Sequence, residues 1–290
     1  MTEEMNHSKT SLLTTDDGNE DNIREPQIYA KNSIDRFGDD LCQLLLSYFP
    51  LEYHIRCESL SKQFRRTVFG SLRHICIDEK LMIRLSKSNI RQIMATIAIK
   101  CTNVETIDCR GMTEKYEEHI LEVLTTCRDN CRHLREIYCN LWRNCEQTMH
   151  SFGPLVTRIG DIDYSVDSQA LTHCRRLSHL RINSLRKAFG QNGTLLVKNL
   201  HSFELNQPLI SSSEHQLSWP RLQYLSINTE TISRECLDHI SRLPALKTFC
   251  LQCHHSNSLT DNDFKDLLSR SPKLKAIEFI VDNNCKIFIV

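Results

Sequence analysis

Glycine and proline are scarce in this chain, with eight glycines and seven prolines in 290 residues. The chain contains neither the phosphate-binding loop G-x-x-x-x-G-K-[ST] nor the dinucleotide motif G-x-G-x-x-G. The zinc-protease motif H-E-x-x-H and the hydrolase motif G-x-S-x-G are missing as well. No motif argues for an enzyme, so we expect no catalytic residue and no cofactor.

An excess of one charge is also missing, because 36 Lys and Arg balance 36 Asp and Glu. Nucleic-acid-binding domains normally carry a basic excess or a basic stripe. The basic residues of this chain are scattered, without a dense Lys/Arg block. We therefore expect no nucleic-acid partner and no membrane partner.

Long apolar runs are missing too. Stretches such as Leu44–Leu46 and Ile97–Ile99 are far shorter than the roughly 20 residues of a membrane-spanning helix. The first residues are polar and acidic, unlike a secretory signal. We expect a soluble protein of the cytoplasm and/or nucleus, whose fourteen cysteines are reduced and mostly structural.

Three regions follow one another along the chain. Residues 1–31 carry seven acidic and three basic residues with few apolar ones, which predicts a disordered acidic tail. Residues 32–70 form a short helical domain, which is too small for a stable core of its own. Its first helix has one broad apolar face, formed by Leu41, Leu44, Leu45, Tyr48 and Phe49.

Residues 71–290 repeat the pattern L-x-x-L-x-L, with any apolar residue allowed at the L positions. The repeats start at 72, 104, 134, 156, 177, 200, 222, 246 and 274, and the copy at 156 lacks its third apolar residue. Most steps match the roughly 20–29 residues of leucine-rich repeats. Helical signals lie between several starts, including a capping box at Thr260 and Asp263. We predict an α/β leucine-rich-repeat solenoid with parallel strands on its concave side and helices and loops on its convex side.

Alternate residues of each predicted strand point away from the core. The residues expected on or near that surface are Glu136, Tyr138, His179, Arg181, His201, Glu204, Tyr224 and Glu278. Tyr138, His179, Arg181 and Tyr224 are the candidates for binding a protein substrate, because Tyr and Arg are frequent at binding hot spots. The alternative is a solvated polar face without a partner.

An amide column follows the last apolar strand position in five repeats. Its members are Asn140, Asn183, Asn206, Asn228 and Gln252. The first hypothesis is a structural ladder in which these side chains bond neighbouring backbone groups. The alternative is that they face the groove and contact a partner.

Two cysteine clusters and one acidic string contain residue types that bind metal ions. Cys250, Cys253, His254 and His255 lack a second cysteine pair, and Cys127 and Cys131 have only His133 nearby. The string from Asp161 to Asp167 starts like a calcium loop but has Val166 and Thr172 where Gly and Glu are needed. We expect no metal at any of the three.

Residues 34–69, IDRFGDDLCQLLLSYFPLEYHIRCESLSKQFRRTVF, resemble an F-box. Phe37-Gly38 stands at the opening Leu-Pro pair of that family and Phe64 at its usual Trp. The resemblance implies docking on a Skp-family adaptor, and through it a cullin, by Phe37, Leu41, Leu44, Leu45, Tyr48, Phe49, Pro50 and Leu51.

F-box and leucine-rich repeats are a known pairing. The resemblance therefore implies a non-catalytic substrate receptor of an SCF-type ubiquitin ligase complex, which acts in protein ubiquitination and proteasomal degradation. Two alternatives stay open. The helical segment is a cap on the end of the solenoid, or the chain is a repeat scaffold for protein binding with no ubiquitin-ligase role.

Overall fold

The computed structural model describes residues 38–49, 51–84, 90–143, 145–188, 196, 198–206, 219–253, 259–271, 273–281 and 284–289. The predicted acidic tail, Phe37 and Pro50 lie outside these residues. The chain divides into two compact units, with the division between Ser71 and Leu72.

The first unit contains three helices: α1 (Asp39–Ser47), α2 (Leu51–Cys57) and α3 (Lys62–Ser71). Asp39 begins α1 and links it to α3, because its carboxylate accepts hydrogen bonds from Arg66 Nη2 at 2.8 and 3.0 Å and from Gln63 Nε2 at 3.0 Å. The hydrogen bond from Arg66 lowers the pKa of the Asp39 carboxyl. Because the positive end of the helix dipole also favours this anion, the start of α1 is well defined.

The core of the first unit is small. Cys42 and Leu46 of α1 and Phe64 and Val68 of α3 are buried. His54 of α2 is buried as well, and its Nε2 forms a hydrogen bond with the carbonyl oxygen of Leu46 at the end of α1. The imidazole is therefore a second partner for this carbonyl oxygen, which also accepts a hydrogen bond from the Phe49 N–H at 2.9 Å.

The second unit is one ten-stranded sheet whose strands follow one another in chain order. Strands β1 to β9 are parallel, and β10 pairs antiparallel with β9. They are β1 (His74–Cys76), β2 (Thr106–Asp108), β3 (Glu136–Leu141), β4 (Val156–Ile162), β5 (His179–Ile182), β6 (Ser202–Leu205), β7 (Tyr224–Thr229), β8 (Thr248–Cys253), β9 (Ala276–Val281) and β10 (Asn284–Ile289). The prediction of a solenoid-like, parallel-stranded repeat sheet is confirmed.

Helices lie in several of the crossovers between strands. They are α4 (Glu79–Arg84), α5 (Ile90–Lys100), α6 (Glu117–Asn130), α7 (Glu146–Phe152), α8 (Arg234–Ser241) and α9 (Asp261–Arg270). Short 3₁₀ helices span Glu114–Tyr116, Gly153–Leu155, Ser168–His173 and Leu185–Ala188. At α9 the Asp263 carboxylate accepts hydrogen bonds from the Thr260 backbone N–H at 2.7 Å and from its hydroxyl at 2.8 Å, in the predicted capping box. Among the helices described, none is both long and apolar enough to cross a membrane.

The apolar positions of the repeats form the core. In eight repeats the strand begins two residues after the start predicted from the sequence, and the apolar strand positions are buried. The weak copy differs, because its strand β4 starts at Val156 itself and its pairing with β3 shifts register twice. As a result its third buried apolar residue is Ile162 rather than the residue at position 161.

Cysteines occupy several of these core positions. Cys109 and Cys139 stand at the third apolar position of their repeats and are buried. Burial raises the pKa of both thiols. A thiol with a raised pKa stays protonated near neutral pH and behaves as a small apolar side chain. These two cysteines therefore replace the aliphatic residue of the pattern.

Candidate protein-interaction surfaces

Helix α1 of the first unit has two apolar sides, and only one of them is buried. Cys42 and Leu46 are 0% and 1% exposed, whereas Leu44 is 53% and Tyr48 is 76% exposed. The large apolar side chains exposed in this unit are Leu41, Leu44, Leu45, Tyr48, Phe49, Tyr53 and Leu60. We call the first five of these the α1 apolar face.

The α1 apolar face continues into α2. The rings of Phe49 and Tyr53 lie 6.3 Å apart between centroids, and the Arg56 guanidinium carbon lies 5.7 Å from the Tyr53 ring centroid. Leu51, at the start of α2, is partly exposed. Three of the eight residues predicted to bind the adaptor, Leu41, Leu44 and Leu45, thus lie on α1. Tyr48 and Phe49 directly follow its last residue, because α1 ends before the predicted apolar face does, and Phe37 and Pro50 lie outside the described residues. Tyr53 and Leu60 were not predicted, because periodicity does not show which apolar residues of a short helix stay exposed.

The second surface is the sheet face opposite the core, which we call the open face. Alternate strand residues are buried and partly exposed, so Glu136, Tyr138, His179, Arg181 and Tyr224 share this face. Tyr138, His179 and Tyr224 also share one row across the sheet, because Arg158 is paired with both Tyr138 and His179, and Ser202 with both His179 and Tyr224. Tyr224 is four strands from Tyr138, about 19 Å away.

Tyr138 is the centre of a compact polar cluster on the open face. The guanidinium carbons of Arg158 and Arg110 lie 4.6 and 5.2 Å from its ring centroid, within cation–π range. Its hydroxyl donates a 2.9 Å hydrogen bond to the Glu136 carboxylate. His74 contributes a ring at 6.1 Å between centroids. The tyrosine is therefore fixed on several sides before any partner binds.

Arg110 is held in place by the carboxylate of Asp108. Its Nε donates to Asp108 Oδ1 at 3.0 Å and its Nη2 to Asp108 Oδ2 at 2.7 Å. These hydrogen bonds raise the pKa of the Arg110 guanidinium. A Cβ atom at Gly160 would lie 2.8 Å from Asn140 Oδ1 and 3.0 Å from Arg110 Cδ. Glycine at 160 thus leaves the space that Arg110 occupies across β4.

Arg158 supplies a cation that forms no ion pair with the carboxylates that the structure describes. Among the described residues, no carboxylate lies within 4.0 Å of its guanidinium. Burial and then the positive charge of Arg158 lower the pKa of His179, so this imidazole is neutral at physiological pH. The cluster can therefore offer one free guanidinium, one neutral imidazole and a fixed tyrosine ring to a ligand.

The sequence predicted Tyr138 and His179 but missed Arg110 and Arg158. Arg158 is the third residue of the weak repeat at 156 and would have been selected if that copy had been treated like the others. Arg110 lies after the end of β2, and the alternation of buried and exposed residues applies only within a strand. Arg181 is separate from the Tyr138 cluster, and its Nε lies 4.0 Å from Glu204 Oε2.

In the cysteine pair Cys127 and Cys131, the Cys131 thiol contacts carbonyl oxygens at the end of α5. The Cys131 thiol lies 3.3 Å from the carbonyl oxygen of Cys101 and 3.8 Å from that of Ala98. His254 and His255 lie outside the described residues. Within the part of the chain that the structure describes, no group of three His, Cys, Asp or Glu side chains is placed to hold a metal ion.

Comparison with known proteins does not assign the chain to a family. No protein-family model matches it, and no curated protein does. Among solved structures, it is similar to the leucine-rich repeat-containing protein LegL7 from Legionella pneumophila, with 13% identity and a TM-score of 0.43. That match covers 79% of this chain and 82% of LegL7.

Proposed function

We propose that this chain is the substrate-recognition subunit of an SCF-type ubiquitin ligase. The observation that carries the proposal is the α1 apolar face, which leaves five large apolar side chains exposed on α1 and on the two residues that follow it. In this proposal the face docks on a Skp-family adaptor, which connects it to a cullin, in the cytoplasm or nucleus.

The energetics support a partner at this face. Full burial of one large apolar side chain against a partner contributes about 1.5–3 kcal/mol of favourable free energy relative to leaving it in water. Soluble proteins rarely keep contiguous large apolar patches exposed unless the patch binds something. The F-box resemblance of residues 34–69 supplies the identity of the partner.

The open face is the proposed substrate surface. The Tyr138 cluster has the residue types that dominate binding hot spots, and its side chains are already fixed, which lowers the entropy lost on binding. The protein itself would make and break no bond. Its contribution is to hold the substrate close to the separate ubiquitin-conjugating machinery.

The test is retention of a purified Skp-family adaptor by the full chain. We expect the wild type to retain the adaptor and Leu44→Asp with Tyr48→Asp to lose it, because an aspartate on this face would be buried without a partner. The matched control is Ile83→Asp with Ile99→Asp, which alters two aliphatic side chains that are 62% and 60% exposed in α4 and α5. Failure of the wild type to retain the adaptor, or an equal loss in the control, would overturn the proposal.

A second candidate is a repeat scaffold that binds a protein partner without a link to ubiquitin. The Tyr138 cluster favours it, because this cluster is built entirely within the repeat unit. Affinity capture with the proteasome blocked separates the two candidates. Under the ligase proposal, bound proteins become ubiquitinated with the wild type and not with Leu44→Asp with Tyr48→Asp. Under the scaffold candidate, neither sample is ubiquitinated.

A further inference from the structure

The basic residues that look scattered in the sequence gather at one edge of the sheet. We define the strand-entry rim as the segments that immediately precede β1 to β9: residues 72–73, 102–105, 132–135, 152–155, 175–178, 198–201, 220–223, 244–247 and 273–275. These segments contain ten Lys and Arg residues, all exposed, and a single acidic residue, Glu105. In a chain of zero net charge, this is a strong local separation of charge.

Backbone hydrogen bonds place neighbouring rim positions side by side. The N–H of Glu105 donates to the carbonyl oxygen of Arg73 at 2.8 Å, and the N–H of Arg135 donates to that of Glu105 at 2.8 Å. At the other end, the N–H of Lys275 donates to the carbonyl oxygen of Lys247 at 2.8 Å. Adjacent strands are about 4.8 Å apart, so the rim follows the sheet edge for about 38 Å.

Within the part of the chain that the structure describes, most of the rim cations have no acidic partner. Arg73 forms an ion pair with Glu105. Among the described residues, none of the other nine rim cations has a carboxylate within 4.0 Å. Arg176 Nη1 donates to the Arg135 carbonyl oxygen at 2.9 Å, and Lys247 Nζ donates to Gln223 Oε1 at 2.9 Å. These neutral acceptors orient the cations along the edge without cancelling their charge.

Several acidic residues lie at the edge of the sheet opposite the rim. Asp78, Asp163 and Glu230 follow the strands at the opposite edge. That edge is about 20 Å away for strands of six residues. The Debye length is about 8 Å at physiological ionic strength. A ligand at the rim therefore experiences the local positive charge rather than the net charge of the protein.

We infer that the strand-entry rim binds the phosphodiester backbone of a duplex nucleic acid without sequence selectivity. A row of cations needs no other chemistry to hold a phosphate backbone. No large apolar side chain is exposed in the described rim segments, so the apolar core typical of a protein interface is missing there. Nor do the exposed rim residues include Tyr, Phe or Trp, which single-stranded binding sites use for base stacking. This inference is independent of the adaptor proposal and revises the expectation drawn from net charge.

The test is fluorescence anisotropy of the full chain with labelled DNA and RNA duplexes of about sixteen base pairs, at two or more salt concentrations. The rim variant is Arg135→Glu with Lys198→Glu, which changes two exposed cations that form no side-chain hydrogen bond with described residues. The control is Lys80→Glu with Lys265→Glu, which makes the same charge change on α4 and α9, away from the rim. Thermal melts of all three proteins check folding.

We expect wild-type binding that weakens steeply with salt, at least about tenfold weaker binding by the rim variant in low salt, and a shallower salt slope for that variant. The control should stay within about threefold of the wild type. The duplex that binds with the higher affinity shows whether the rim prefers a DNA or an RNA backbone. Equal losses in rim and control variants, salt-independent binding, or tighter binding of the matching single strand would overturn the inference. So would an oligoglutamate peptide of matched charge that binds as tightly as the duplex, which would assign the rim to an acidic protein.

Discussion

The side-chain amide of Asn206 donates a 3.1 Å hydrogen bond to Oδ1 of Asn183, 23 residues earlier in the chain. Asn183 in turn donates to Oδ1 of Asp161 at 3.2 Å, so side-chain hydrogen bonds join the ends of β4, β5 and β6 in addition to the backbone hydrogen bonds of the sheet. Asn140 instead donates to the backbone oxygen of Arg110 at 2.8 Å, as the ladder hypothesis expected. Three of the five members of the amide column, Asn140, Asn183 and Asn206, are thus hydrogen-bonded between repeats, to both backbone and side-chain acceptors.

This ladder should contribute to stability. Asn183→Ala removes two partly buried hydrogen bonds and should lower the free energy of unfolding by about 1–3 kcal/mol, and Asn206→Ala should lower it by about 1 kcal/mol. Denaturant unfolding measures both. Asn228→Ala is the control, because Asn228 lies in the same column and its side chain forms no hydrogen bond with a described residue. An Asn183→Ala protein as stable as the control would show that these hydrogen bonds do not contribute to stability.

Gly153 should not tolerate a side chain. A Cβ atom there would lie 2.8 Å from the backbone C and O of His173 and 2.7 Å from its Cβ, and backbone atoms cannot rotate away. Gly153→Ala should therefore destabilise the repeat unit by about 1–3 kcal/mol. Gly70→Ala is the comparison, because a Cβ at this α3 position meets nothing within 4 Å and should stabilise its helix slightly. Equal melting temperatures for the two variants would contradict the close approach at Gly153.

Neighbouring leucines of α1 should respond differently to truncation. Leu46 is buried, so Leu46→Ala should cost about 2–5 kcal/mol of unfolding free energy. Leu44 is exposed, so Leu44→Ala should change stability by no more than about 0.5 kcal/mol. Thermal denaturation of the two single variants decides the matter. A large loss at Leu44 would show that the α1 apolar face is packed rather than available to a partner.

The Tyr138 cluster should show an acid-sensitive stability. Burial and Arg158 lower the pKa of His179, so the folded protein takes up its proton at a lower pH than the unfolded chain does. The unfolded chain therefore binds more protons as the pH falls below about 6.5, and His179 then favours unfolding. Stability should rise with pH through this window, and His179→Gln should flatten the dependence in denaturant unfolding.

The contribution of Arg158 to the lowered pKa of His179 can be measured by NMR titration of the His179 ring. Arg158→Gln should raise the pKa of His179 toward its ordinary value, because a neighbouring positive charge is removed. Arg181→Gln is the matched control, since Arg181 lies next to Glu204 on the same face. A His179 pKa that is unchanged by Arg158→Gln would contradict the arrangement around Tyr138.

Much of the repeat unit could be predicted from the sequence. Apolar spacing gave the parallel strands, and alternation placed Tyr138, His179 and Tyr224 on the open face. The repeat that starts at 156 does not match the full apolar pattern, because the pairing of β4 with β3 shifts register. These shifts depend on how the two strands pair and not on the spacing within either strand. The three helices of the first unit follow the apolar spacing of residues 39–69, whereas their docking on an adaptor stays a prediction.

The amino-acid sequence by itself determined the strand order and the side of each strand that is buried, because both follow from the period and composition of a local pattern. Only the tertiary structure decided which side of α1 stays exposed, since two apolar sides compete for one small core. It also decided that Arg110 and Arg158 meet over Tyr138, and that ten cations spread over some 200 residues form one edge. Those neighbours come from stacking one repeat on the next, and stacking brings together residues that no local pattern relates.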